Sequence, residues 1–128
     1  MSEIGVVVLV LITLFVLFQL NMVRQAKKQI GEIAPDIPAQ DPSSSDQPTL
    51  LYFHSPNCGP CRSMSPMIDA LKTEFSNIHS IDVSQDLATA QQYNVRATPT
   101  LVLVKDGKIS DVLLGQKSAE KIRSLLVP

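Results

Sequence analysis

The chain has only two cysteines, Cys58 and Cys61, and just Gly59 and Pro60 separate them. Two thiols at this spacing can close a small disulfide ring and open it again. Gly59 allows the backbone to turn tightly, and Pro60 stiffens the loop. The pattern therefore predicts thiol–disulfide exchange, in which a thiolate attacks a disulfide sulfur and the second thiol resolves the mixed disulfide.

The cysteine pair lies between an apolar run and a helical pattern. Leu50–Phe53 is short and apolar, as a buried strand would be. After the pair, apolar residues recur at helical spacing, which predicts a helix over 58–75 with Pro66 inside it. At the start of that helix, Cys58 would face unpaired N–H groups and the positive end of the helix dipole, which favour a nucleophilic thiolate. Cys61, one turn further on, is expected to be the more buried, resolving thiol.

Three neighbouring residues are candidates for tuning the pair. Arg62 adds a positive charge directly after the second cysteine. His54 lies four residues before Cys58 and could stabilise a thiolate or shuttle protons. The alternative for this histidine is a solvated loop position. Tyr52 is expected in the core because its neighbours are apolar.

The remaining elements predict one small α/β domain from Thr49 onward. Apolar runs predict strands over Ile78–Val83, Thr100–Val104 and Ile109–Leu114. Asp106-Gly107 is a strong hairpin signal between the last two strands. With a short helix after the second strand and a final helix, the order is β-α-β-α-β-β-α.

These motifs together resemble those of thioredoxins over about residues 49–126. The resemblance is carried by Cys58-Gly59-Pro60-Cys61, Pro66, Ala97-Thr98-Pro99-Thr100, Lys105-Asp106-Gly107-Lys108 and Gly115. It implies a minimal thioredoxin-like fold, a mixed sheet flanked by helices. It also implies that Pro99 is a cis-proline facing the disulfide and that Thr98 presents backbone groups to an extended substrate. No cofactor or metal is implied beyond the redox-active disulfide.

The sequence departs from the thioredoxin pattern at three positions. Asn57 stands where thioredoxins usually have tryptophan, which alters the surface that a partner would meet. Tyr52 stands where they usually carry a buried aspartate that handles protons for the second thiol. Ser80 stands in place of the usual partner lysine. The family's first strand and helix are also missing, so the chain resembles a minimal thioredoxin-like domain and not a housekeeping thioredoxin.

The N-terminal segment Ile4–Val23 carries no charge and has about the 20 residues that a helix needs to cross a bilayer. It follows a short tail, residues 1–3. A buried core helix would need a polar face, which this segment lacks. A cleaved signal peptide would need a basic start, a shorter apolar run and a small-residue cleavage site. The sequence therefore predicts an uncleaved membrane anchor.

The flanking charges predict an orientation. Arg24, Lys27 and Lys28 follow the span, and no lysine or arginine precedes it. Since basic residues tend to stay cytoplasmic, the C-terminal domain is expected in the cytoplasm, at the inner membrane of a bacterium. The alternative is a domain on the periplasmic side. Residues 24–48 would form a basic juxtamembrane segment and then a tether rich in Pro, Ser and Asp, of which residues 34–48 could stretch to about 50 Å.

The leading hypothesis is a membrane-anchored thiol–disulfide oxidoreductase that reduces protein disulfides and contributes to cell redox homeostasis. It would need an electron donor, which the sequence leaves unidentified. Two alternatives stay open: a non-catalytic module that binds a partner, and a zinc site built on the Cys58–Cys61 pair. The net charge of −1 gives no indication of nucleic-acid binding.

Overall fold

A computed structural model describes residues 2–35 and 47–127. Its elements are α1 (Glu3–Lys27), β1 (Thr49–His54), α2 (Gly59–Leu71), β2 (Ile78–Asp82), α3 (Leu87–Gln92), β3 (Thr100–Lys105), β4 (Lys108–Leu114) and α4 (Ala119–Leu126). After α1, this order confirms the β-α-β-α-β-β-α arrangement and the α/β class expected from the sequence.

The four strands form one mixed sheet in the order β2-β1-β3-β4. Strand β1 runs parallel to β2 and antiparallel to β3, and β3 and β4 form an antiparallel hairpin. Because β1 is central and covered on both faces, its apolar run needs no polar alternation. This central strand ends at His54, directly before the loop that carries the cysteines.

Alternate residues of β1 enter two separate cores, as the two-residue period of a strand requires. Leu51 and Phe53 pack on one face with Tyr93, which follows α3. Leu50 and Tyr52 pack on the other face, under α2 and α4. The sheet therefore presents Tyr52 to the helix that begins at the cysteine pair.

Helix α2 is shorter than the sequence predicted. It ends at Leu71, and the chain continues in turns until the N–H of Phe75 donates to the Leu71 carbonyl at 2.9 Å. Phe75 still packs against the core beneath the helix, so its apolar spacing reflects burial, not helical backbone. Pro66 lies inside the helix as expected.

The two later helices are capped by side chains. Asp86 caps α3, and its carboxylate accepts from the N–H of Thr89 at 3.1 Å. Ser118 caps α4 by accepting from the N–H of Lys121 at 3.2 Å. Each cap satisfies an N–H that the helix itself leaves unpaired.

Helix α1 contains the apolar N-terminal segment and continues four residues past its expected end at Val23. Its length and composition would allow it to cross a membrane, criteria that a signal sequence also meets. None of its 25 residues is buried. The apolar side chains are therefore available to lipid along most of the helix.

The segment after α1 pairs with the hairpin, which the sequence analysis did not predict. Ile33 forms a β-bridge with Lys108, and the N–H of Ala34 donates to the Gly107 carbonyl at 2.9 Å. Since β4 is an edge strand, its outer backbone groups are free to accept such a partner. The expected tether thus begins with residues that lie on the domain, and its residues 36–46 fall outside the described ranges.

Candidate active site

Cys58 and Cys61 are joined by a disulfide, with their Cα atoms 5.2 Å apart. Cys58 is the N-cap of α2, and its Sγ accepts from the N–H of Cys61 at 3.2 Å. Pro60 occupies the first turn of the helix, where its missing N–H removes a group that would have no helical partner. The sequence thus folds locally so that one sulfur lies at the end of the helix where backbone N–H groups are exposed.

The two sulfurs differ in their access to solvent. Cys58 is 8% exposed and Cys61 is 2% exposed. Gly59 and Pro60 between them are exposed, so the loop stands at the surface. An incoming substrate would therefore meet Cys58 first, in line with the roles expected of the two thiols.

Thr98 and Pro99 are linked by a cis peptide bond directly before β3. The Thr100 hydroxyl donates to the Ala97 carbonyl at 2.6 Å, and the N–H of Gly115 donates to the Pro99 carbonyl at 3.0 Å. These bonds hold the turn at both sides of the proline. Pro99 is buried and Thr98 is half-buried. The turn is therefore fixed in position, and its edge at Thr98 is partly accessible.

Ser55 connects this turn to the cysteine loop. Its hydroxyl lies 3.3 Å from the Thr98 hydroxyl, and its carbonyl accepts from the N–H of Cys58 at 3.3 Å. The structure thereby brings Thr98 and Cys58 together through one intermediate residue. Sequence reasoning missed Ser55; its place between the strand and the cysteine loop was the available signal.

Tyr52 lies beneath α2, with its phenolic oxygen 3.0 Å from Ser65 Oγ and 3.4 Å from the Cys61 carbonyl oxygen. Its partner in the strand register is Ser80. The two positions at which thioredoxins usually carry the buried aspartate and its partner lysine are therefore neighbours across β1 and β2. Burial raises the pKa of the Tyr52 phenol. The phenol is therefore protonated at neutral pH and acts as a hydrogen-bond donor, in a position where thioredoxins usually have a carboxylate.

His54 stacks on Tyr52, with ring centroids 5.1 Å apart and planes inclined by 20°. It is half-buried at the end of β1. Within the described residues no hydrogen bond joins His54 to either cysteine. Its role as a proton shuttle stays a prediction.

Asn57 and Arg62 flank the cysteine pair, and both are exposed. Asn57 precedes Cys58 in the loop, whereas Arg62 belongs to the first turn of α2. They form the rim that a partner would meet. Across residues 2–35 and 47–127, no three His, Cys, Asp or Glu side chains are grouped as the ligands of a metal ion would be.

The match to known proteins agrees with this geometry. The family model described as thioredoxin matches residues 39–127. The chain belongs to the thioredoxin family. It is 40% identical to a thioredoxin of Haemophilus influenzae over 75 residues, which cover 56% of this chain and 70% of the relative. It is 34% identical to a thioredoxin of Bacillus subtilis over 86 residues, covering 65% of this chain and 83% of that relative.

Solved thioredoxin structures share the fold. A mutant thioredoxin from Halobacterium salinarum matches with a TM-score of 0.59 and 30% identity, over 66% of this chain and 75% of that chain. The thioredoxin of Fasciola hepatica matches with a TM-score of 0.57 and 33% identity, over 64% and 80% of the two chains. This thioredoxin-family chain is thus a thiol–disulfide oxidoreductase, and the family implies protein disulfides as its substrates.

Proposed function

We propose that this thioredoxin-family chain is anchored in a bacterial inner membrane by α1 and reduces protein disulfides through Cys58 and Cys61. The observation that carries the proposal is the Cys58–Cys61 disulfide at the start of α2, next to the turn that contains Thr98 and Pro99. An exchangeable sulfur pair and a backbone edge for an extended substrate are thereby adjacent.

The reaction begins with the reduced pair. The Cys58 thiolate attacks one sulfur of a substrate disulfide, and the other substrate sulfur leaves as a thiolate that takes up a proton. The Cys61 thiolate then attacks the Cys58 sulfur, and the second substrate thiol is released. The pair ends as the disulfide that the structure contains. A reducing partner must return two electrons and two protons before the next cycle.

The local geometry supports Cys58 as the attacking group. The N–H of Cys61 points at its sulfur, and as the N-cap of α2 it lies at the positive end of the helix dipole. Both interactions stabilise negative charge on sulfur and lower the pKa of a thiol. Cys61 has a backbone carbonyl in contact with the Tyr52 hydroxyl, and it is nearly inaccessible, as suits a resolving thiol.

Proton transfer at Cys61 should differ from that of most relatives. Tyr52 is protonated at neutral pH because its burial raises the phenol pKa. It therefore does not accept the Cys61 proton as a carboxylate would. We expect the mixed disulfide to persist longer than in a thioredoxin with aspartate at this position.

The flanking charges support a cytoplasmic domain. Arg24 and Lys27 lie in the last turn of α1, and Glu3 lies in its first turn. Basic residues are retained on the cytoplasmic side during insertion. In that compartment the thiol pool keeps the pair reduced, so the favoured direction is reduction of the substrate.

The test of the activity uses the full chain in lipid vesicles. The wild-type protein should accelerate the reduction of insulin by dithiothreitol, and Cys58→Ser should abolish the acceleration. Ser63→Ala, on the exposed side of the same helix, is the matched control. In intact membranes, Cys61→Ser should accumulate mixed disulfides with partners. An inactive wild type would overturn the proposed activity.

Anchoring and orientation need separate measurements. The chain should stay with the membrane after alkaline carbonate extraction, which removes peripheral proteins. Protease added to sealed right-side-out cells should spare the domain. Release by carbonate would contradict the anchor, and digestion would place the domain on the periplasmic side.

A further inference from the structure

Residues Gly31–Pro35, here called the docked segment, are joined to the edge of the sheet. The N–H of Gly31 donates to the Ile109 carbonyl at 2.7 Å, and the N–H of Ile109 donates to the Glu32 carbonyl at 2.9 Å. The bond from Ala34 to the hairpin turn adds a third contact. Backbone pairing of this kind is how peptides bind to exposed sheet edges.

Side chains strengthen this attachment. The Tyr93 hydroxyl donates to the Pro35 carbonyl at 2.7 Å. Ala34 and Ala26 both pack against the core that contains Tyr93 and Phe53. The docked segment is therefore held by the main chain on one side and by a buried core on the other.

The last turns of α1 also meet the loop that leads to the cis-proline. Met22, Gln25 and Ala26 line one cavity together with Val95, Arg96 and Ala97. Thr98 and Pro99 follow directly in the chain. The edge that would receive a substrate thus lies beside the end of the membrane helix.

This attachment determines the distance between the domain and the bilayer. Eight residues lead from Val23, where the apolar segment ends, to Gly31, and at a helical rise they span about 12 Å. A free tether over residues 34–48 could stretch to about 50 Å. Residues 36–46 come after the docked segment in the chain. They therefore connect two points that both belong to the domain, and they do not add to its distance from the bilayer. The first point is Pro35, whose carbonyl accepts from the Tyr93 hydroxyl, and the second is Pro48, whose carbonyl accepts from the Asn77 amide.

Three basic residues lie around the same junction. Arg24 and Lys28 flank the end of α1, and Arg96 is exposed in the adjoining loop. In the described part of the chain, the ion pairs are those of Lys72 and Arg123, so these three cations have no acidic partner among the described residues. Such residues favour a position at the anionic surface of the bilayer.

We propose that the docked segment holds the substrate-binding edge at the membrane surface. The substrates are then disulfides in the membrane-proximal segments of other membrane-anchored polypeptides. This inference rests on the proposed function, because it requires both the anchor and the exchange reaction.

The experiment compares two acceptors in vesicles that contain the full chain. Both are membrane-anchored peptides with the same disulfide, one about 5 residues from its transmembrane helix and the other behind a flexible spacer of about 40 residues. The wild type should reduce the near acceptor about tenfold faster than the far one, because docking raises the effective concentration only near the bilayer.

The decisive variant is Gly31→Pro with Ala34→Pro, which removes two of the donors. Proline also cannot adopt the φ of +91° that Gly31 has in the docked form. The near-to-far rate ratio should fall to about one. Ala39→Pro with Gln40→Pro, in the linker beyond the docked segment, is the matched control and should keep the wild-type ratio.

Hydrogen exchange at the Ile109 amide reports docking directly. This amide should be protected in the wild type and the control, and it should exchange freely in the Gly31→Pro, Ala34→Pro variant. An unprotected amide in the wild type, or an unchanged ratio in the variant, would overturn the inference. Insulin reduction should be equal in all three proteins; its loss in the wild type would instead overturn the proposed function.

Discussion

The phenolic oxygen of Tyr52 lies 3.0 Å from Ser65 Oγ and 3.4 Å from the Cys61 carbonyl oxygen. One hydroxyl therefore connects the central strand β1 with the helix that carries the second cysteine. Tyr52 is 1% exposed, so its hydroxyl depends largely on these two protein partners. The contact should contribute to stability as well as to the position of α2.

Tyr52→Phe and Ser65→Ala should each lower the free energy of unfolding by about 1 kcal/mol, because each breaks the hydrogen bond between the buried Tyr52 and the half-buried Ser65. The double variant should lose less than the sum of the two, since both changes remove the same contact. Urea unfolding of the oxidised protein in detergent measures all three values. Additive losses would show that the two hydroxyls do not interact.

Ser55→Ala should weaken substrate binding without affecting the cysteines. The change removes the hydroxyl that lies 3.3 Å from the Thr98 hydroxyl, so the turn proposed to bind substrate loses this connection to the cysteine loop. A loss of about 1 kcal/mol corresponds to a KM for insulin about fivefold higher. Thr98→Ser keeps a hydroxyl and should behave as wild type. If Ser55→Ala slowed the oxidation of the reduced cysteine pair by a small disulfide more than it slowed insulin reduction, the assignment of Ser55 to substrate binding would be contradicted.

His79 should make the protein less stable in mild acid. Burial lowers the pKa of its imidazole, and the positive charge of Lys72 lowers it further. The unfolded chain therefore binds a proton more readily than the folded one, and stability is lost as the pH falls through about 6.5, the ordinary value for histidine. Urea midpoints at pH 7.5 and 5.5 measure the loss. His79→Gln should make it smaller, and an equal loss in that variant would assign it to other groups.

Asp86 should affect the stability of the protein in a lower pH range than His79 does. Hydrogen bonds from the Thr89 hydroxyl and N–H lower the pKa of its carboxyl group. Its contribution to stability is complete above the ordinary aspartate pKa and is lost as the pH falls through the lowered folded value. Asp86→Asn keeps a capping side chain but cannot titrate, so its urea midpoint should depend less on pH below about 4. Asp86→Ala should lower the midpoint at neutral pH, and an unchanged midpoint would contradict the cap.

The order of elements was predictable because each depends on local signals. The continuous apolar run Leu50–Phe53, the turn at Asp106-Gly107 and the capping residue Ser118 all act within a few positions of themselves. The predicted end of α2 lay beyond the observed end at Leu71, because Phe75 is apolar at a helical interval but reaches the core from a turn. Periodicity reports burial, and burial does not require helical backbone.

The site was predictable where its chemistry lies in a short motif, as at Cys58 and Cys61. Contacts between distant segments were not. Ser65 meets Tyr52 only because α2 lies across β1, and Ser55 meets Thr98 only once the sheet has formed. The pairing of Gly31 with Ile109 uses backbone atoms alone, so no pattern of side chains in the sequence predicts it.

That pairing has a consequence for biosynthesis. Ile33 leaves the ribosome long before Lys108, its partner across the β-bridge, and a contact between such distant positions forms late. The anchor would enter the bilayer while the hairpin is still unmade. A nascent chain stopped before β4 would therefore lack the backbone bonds between the docked segment and the sheet edge, and only completion of the last strand would form them.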